Sequence, residues 1–218
     1  MKKLSSLLLI AMFAATLVNC GGGPKPGYVI NGDVEGLDGE VYLLKGKDTV
    51  NVAQVNNGKF VMSGELPEPG AYMITTKRLP MMLLIDEWDT LSLTGNVLRF
   101  KPGERIFTVT GSDANDAFTE LGNRLMELTS GAREITSMEE RDSVMRLQTD
   151  IVLAAAGENT DNLLSVYLLS VPQPLVGTSP EEIMAILEKT PERLKKTSLY
   201  ETTVKRYESA SGKNDGSE

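Results

Sequence analysis

From residue 28 to about residue 110, apolar and polar positions alternate in short runs rich in Val, Ile, Tyr, Phe and Thr. A period of two turns one face of each run toward a core and the other toward solvent, which predicts strands. The runs fall at 28–30, 40–44, 49–55, 59–62, 71–76, 81–85, 90–93 and 106–110, with turn residues between them. Asn31-Gly32 follows the first run, Leu37-Asp38-Gly39 precedes the second, and Asn56-Asn57-Gly58 separates the third from the fourth. The last is the strongest hairpin signal, because Asn-Gly accepts the positive φ angles of a tight primed turn. Strands at this spacing predict an antiparallel β-sandwich or a small barrel over 28–111.

After Gly111 the period lengthens to that of a helix. Phe118, Leu121, Leu125 and Leu128 share one face of a helix begun by Ser112 or Asp113. Ser137-Met138-Glu139-Glu140 is a capping box, in which serine and glutamate satisfy each other's end of the helix. It opens a helix with Val144, Leu147, Ile151 and Ala155 on one side. Residues 161–171 are apolar nearly all round and predict a buried helix. Ser179-Pro180 and Thr190-Pro191 read as helix starts with proline in the first turn, and a last helix begins at Ser198 and ends near Glu208. The expected fold is therefore α+β: a β-domain at 28–111, a helical segment at 112–208, and a disordered tail at 209–218.

The chain begins with two lysines, Lys2 and Lys3, followed by an apolar stretch over 4–18. Its 15 or so residues fall short of the roughly 20 needed to span a bilayer and suit a signal peptide. The stretch closes on Leu17-Val18-Asn19-Cys20, which resembles a lipobox, with Asn19 departing from the usual small residue. The expectation is a signal peptide at 1–19, acylation of Cys20 and a Gly/Pro-rich tether at 20–27. In the bacterial groups that this chain resembles, an acidic cluster after the cysteine often marks lipoproteins for the cell surface; none follows Cys20, so the expected location is the cell envelope, lipid-anchored in the outer membrane and facing the periplasm.

Composition narrows the chemistry. Beyond the first 20 residues the chain carries 20 basic against 30 acidic residues, and its pI near 4.8 argues against a nucleic-acid partner. There is no histidine, and Cys20 is the one cysteine, so neither an internal disulfide, nor a Cys-x-x-Cys redox pair, nor a Cys/His zinc site can form. A Ser/His/Asp triad is likewise absent, and no phosphate-binding loop is present. No cofactor and no metal are expected.

The run from Tyr28 to Leu43, the Asn57-Gly58-Lys59-Phe60 turn, the Thr90-Leu91-Ser92-Leu93-Thr94-Gly95 strand and Thr110-Gly111-Ser112 together carry a family pattern. They resemble the domain of unknown function that precedes the thioredoxin-like domain in many Bacteroidetes thiol-disulfide oxidoreductases of the AhpC/TSA type. The segments 162–171 and 190–207 resemble the helical connector before that redox domain. The resemblance spans nearly all of 27–208. It transfers no redox residue, because no position here matches the family's Cys-x-x-Cys, and the expectation is a lipoprotein without the thioredoxin domain.

Asp86-Glu87-Trp88-Asp89 gathers three carboxylates around the chain's one tryptophan. Asp86, Trp88 and Asp89 are the candidate ligand-binding residues, as a calcium site or as an acid/base pair beside an aromatic sugar platform. The plainer reading, which we favour, is a solvated turn between the strands at 81–85 and 90–93, since adjacent turn carboxylates rarely face one cleft. Lys77-Arg78 reads as an exposed loop and Met81-Met82 as core. Thr49, Thr90 and Ser143 follow aspartate and precede an apolar residue, the pattern of O-glycosylation in exported Bacteroidetes proteins. The function expected is that of a non-catalytic envelope lipoprotein acting by binding, docking a separate thioredoxin-like protein or its client. The alternatives are a carbohydrate- or peptide-binding module built on Trp88 and nearby tyrosines, or a degenerate oxidoreductase. Exposed apolar residues on the helical segment would favour docking.

Overall fold

A computed structural model describes residues 27–76, 80–99, 106–131, 137–171 and 175–211. The expected signal peptide, Cys20, most of its tether, the Lys77-Arg78 loop and the tail beyond Ser211 lie outside the described residues. No helix among the described residues is long and apolar enough to cross a membrane.

Eight strands form two four-stranded sheets: β1 (Gly27–Glu35), β2 (Gly39–Lys45), β3 (Asp48–Val55), β4 (Lys59–Glu65), β5 (Gly70–Thr75), β6 (Pro80–Ile85), β7 (Thr90–Asn96) and β8 (Phe107–Thr110). The first sheet has the order β4-β1-β7-β8 and the second β3-β2-β5-β6, so the pair is a sandwich and does not close into a barrel. Every ladder is antiparallel except that between β1 and β7, which runs parallel.

Two turn signals behave differently from the local expectation. Asn31-Gly32 makes no turn; β1 continues through it. The Phe60 ring of β4 lies over Gly32, where a Cβ would come within 2.0 Å of it, so the glycine serves close approach between strands. Asn56-Asn57-Gly58 does make the primed turn, with φ of 53° at Asn57 and 79° at Gly58. Asn56 and Lys59 exchange backbone hydrogen bonds of 2.9 and 3.0 Å, but β3 and β4 then diverge into different sheets. This crossing closes one side of the sandwich, and the Asn51 amide bridges it by donating to the Ser63 carbonyl (3.0 Å) and the Tyr28 hydroxyl (2.9 Å).

The opposite side, where β6 and β8 end their sheets, is covered by α1 (Asp113–Gly131). Asn115 is buried there and substitutes for a missing strand: its amide donates to the Leu84 carbonyl (2.6 Å) and accepts from the Leu84 N–H (3.1 Å). Thr119 on the same helix donates to the Val109 carbonyl of β8 (3.2 Å). Both edges are thus satisfied by one helix, a protection that exposed strand edges require.

The remaining helices are α2 (Met138–Glu158), α3 (Leu163–Ser170), α4 (Pro180–Leu187), α5 (Glu192–Lys195) and α6 (Ser198–Ala210). The capping box at Ser137/Glu140 is formed as expected, and Ser179, at a start expected from its proline, forms a second one with Glu182. Pro191, expected inside the first turn of α5, is its N-cap instead, and α6 runs to Ala210, into the expected tail. The helices pack on the outer face of β5 and β6. As a result Leu83 and Ile85 face the sandwich core while Leu84 between them faces the helical core. That double covering explains why β6 reads as a continuous apolar run. The α3 helix is the buried one of the group, with six of its eight residues inside.

A polar tie joins the layers. Glu68, between β4 and β5, accepts from Lys45 Nζ (2.5 Å) and from the N–H of Ser198 at the start of α6 (2.8 Å). Burial pushes the Glu68 carboxyl up, but Lys45 and the Ser198 hydroxyl and N–H outweigh it and hold the group below its ordinary value.

Candidate functional site

The segment 86–89 is a turn, as the pattern implies, but it links β6 of the second sheet to β7 of the first. Its two aspartates cap each other's backbone. Asp89 Oδ2 accepts from the Asp86 N–H (2.9 Å), Asp86 Oδ1 accepts from Glu87 (2.8 Å), and the Asp86 carbonyl accepts from Asp89 (3.3 Å). The turn then extends the parallel ladder: Trp88 N–H donates to the Gly27 carbonyl (2.8 Å) and Val29 N–H to the Asp89 carbonyl (2.8 Å). Asp86 also pairs with Arg193 of α5, whose other nitrogen donates to the Asp161 carbonyl (3.4 Å). Arg193 lies 107 residues from its partner, so no local signal could have found it.

Asp86 and Asp89 are therefore brought together, but both carboxylates are occupied in holding the turn. Burial is the largest influence on Asp89. The Asp86 N–H and Arg193 lower its pKa and the charges of Asp86 and Asp113 raise it, and the balance stands at about 6. The folded protein thus holds this proton more tightly than the unfolded chain, so stability falls as pH rises from 3.8 to about 6. Asp89→Asn removes the ionised form while its amide oxygen still accepts from Asp86. We expect a gain of about 1–2 kcal/mol near neutral pH, after allowing for solvent screening, and no gain below about pH 4. Thermal unfolding of both proteins at the two pH values checks this; an unchanged or lowered neutral-pH Tm for the variant would contradict it.

Trp88 is 59% exposed and has φ of 68°, a left-handed conformation that bulky residues rarely adopt. Tyr28 and Tyr72 both lie in the sandwich core. Among the described residues, no three or more His, Cys, Asp or Glu side chains are placed to hold a metal ion. Thr49 in β3, Thr90 at the start of β7 and Ser143 in α2 all have exposed positions. Met81 packs against the sandwich core.

Two further surfaces were not legible beforehand. A shallow polar depression of about 560 Å³ lies on the outer face of the first sheet, lined by Asn31, Asp33, Gln54, Asn56, Lys59 and Ser92 among others. Its solvent-facing residues come from separate strands, so they gather only once strand order is known. The second surface is on α2. Of the side Val144, Leu147, Ile151 and Ala155, only Ala155 is buried; burial shifts to Thr149, Val152, Ala155 and Ala156. Leu147 is 46% exposed and Met138 72% exposed, because α2 meets its neighbours mainly through its C-terminal half.

No curated protein and no solved structure matches this chain. Residues 28–118, which take in the whole sandwich and the first turns of α1, match the family model described as a domain of unknown function (DUF4369).

Proposed function

We propose that this chain is a lipid-anchored protein of the bacterial envelope, held through Cys20 in the outer membrane and facing the periplasm. It works by binding, and docks a separate thioredoxin-like protein or that protein's client through α2. The observation that carries the docking reading is the pair of exposed apolar side chains on α2, Met138 at the helix start and Leu147, with Val144 half-buried between them and Ile151 already packed against the helical core. An apolar centre within charged surroundings, here Glu139, Glu140, Arg141, Asp142 and Arg146, is the make-up of a protein interface. The thioredoxin-like partner is suggested by the family pattern of the strands and connector.

The test is crosslinking of the membrane-anchored protein in its native envelope, followed by mass spectrometry, for the wild type and for Met138→Glu/Leu147→Glu. Both side chains are exposed, so the double variant should fold normally. The expected result is a thioredoxin-fold protein crosslinked to α2, recovered roughly tenfold less by the variant. Equal recovery by both proteins, capture of glycan-handling or transport components, or no specific capture would reject the docking reading.

A further inference from the structure

We propose that Trp88 is a second membrane contact, seated in the interface of a zwitterionic bilayer, and that it fixes which end of the sandwich faces the membrane. This rests on the lipid-anchor reading above. Seven residue steps separate Cys20 from Gly27, a reach of about 25 Å at full extension. The end of the sandwich carrying Gly27 is therefore confined to the neighbourhood of the bilayer surface. The backbone N–H of Trp88 donates to the Gly27 carbonyl (2.8 Å), which places residue 88, with its exposed side chain, at that same end.

The local structure presents the ring outward at a cost. Glycine or asparagine would adopt the left-handed conformation of position 88 more cheaply, yet the largest side chain occupies it and stays mostly in solvent. The Asp86–Asp89 hydrogen bonds and the Arg193 pair hold that geometry. Indole rings favour the headgroup level of membranes, where an apolar ring and a polar N–H are both accommodated. Glu87 beside it is exposed, so an anionic surface would repel this end, whereas a zwitterionic one would not. Two other strongly exposed apolar side chains lie near the sheets, Leu98 beyond the far end of β7 and Val61 within β4 opposite Asn31, and neither stands at the Gly27 end.

Trp88 is the chain's one tryptophan, so its fluorescence reports this position alone. The experiment takes the full lipidated protein from the envelope and places it in phosphatidylethanolamine/phosphatidylcholine vesicles, with and without bromine on the acyl chains. The expected result is blue-shifted emission and a loss of roughly half its intensity to bromine, with a smaller loss in phosphatidylglycerol vesicles. Emission equal in brominated and plain vesicles, from protein that floats with them, would overturn the Trp88 contact and leave the anchor standing. Emission indifferent to bromine but shifted by an added envelope protein would assign the indole to protein docking and likewise overturn it. Protein that neither floats nor carries an acyl mass on its N-terminal peptide would overturn the contact and the anchor together.

Discussion

Gly58→Ala should destabilise the protein by about 3–5 kcal/mol, a large part of a typical domain's total stability. Two costs combine at this position. The φ of 79° is unfavourable for any residue with a Cβ, and the added carbon would sit 2.5 Å from the Val34 carbonyl oxygen, a backbone atom that no side-chain rotation can move. Relief requires the turn to withdraw from β1, which breaks the hydrogen bond from the Val34 N–H to the Gly58 carbonyl (2.8 Å). Because β3 and β4 part into different sheets immediately beyond this turn, no ladder between them can absorb the shift. Urea unfolding of the variant measures the effect; a loss below about 1 kcal/mol would mean that the turn is not the pinned joint described.

Asn115→Leu should cost about 2–4 kcal/mol despite the similar branching of the two side chains. Leucine leaves the Leu84 N–H and carbonyl, both in a buried environment, without the partner that now serves them, and also removes the bond from the Asn115 amide to Ser112 Oγ (2.8 Å). The distinguishing sign is local: amide exchange at Leu84 should accelerate more than exchange in β1 or β7. Stability within about 0.5 kcal/mol of wild type would show that the β6 edge is satisfied some other way.

Most strand positions were readable because their runs alternate, and the alternation reports one buried face whatever lies beyond it; β6 was readable instead as a short continuous apolar run. The helix starts at 137 and 179 were readable for a related reason, since the capping box at the first and the Ser-Pro pair at the second are complete within a few residues. What could not be read is which strands share a sheet. The chain changes sheet at the turns 36–38, 56–58, 66–69 and 86–89, and the Gly- and Asn-containing turns at 36–38 and 56–58 have the composition of ordinary hairpin turns. Asn31-Gly32 misleads for the opposite reason: the pair looks like a turn, but its glycine answers to Phe60, 28 positions away. At the candidate site, Asp86, Trp88 and Asp89 were identifiable as a cluster. Their use was not, because the ion pair to Arg193 and the burial of Asp89 come from α5 and the helix layer. The stripe on α2 was recognised as a stripe, whereas its exposure depended on how much of that helix its neighbours reach.

The parallel pairing of β1 with β7 sets an order of assembly for the folding chain. Val29 finds its partner at Thr90, 61 residues later, so the pairing must close a long loop and follows a search interval that a hairpin does not need. During that interval β1 can acquire β4 on one edge, while the edge destined for β7 stands open with its N–H and carbonyl groups unpaired. A hairpin-only sandwich would never face that wait. Here a central strand of the first sheet stays a template for other chains until β7 docks beside it, which makes delayed completion part of how this topology is reached.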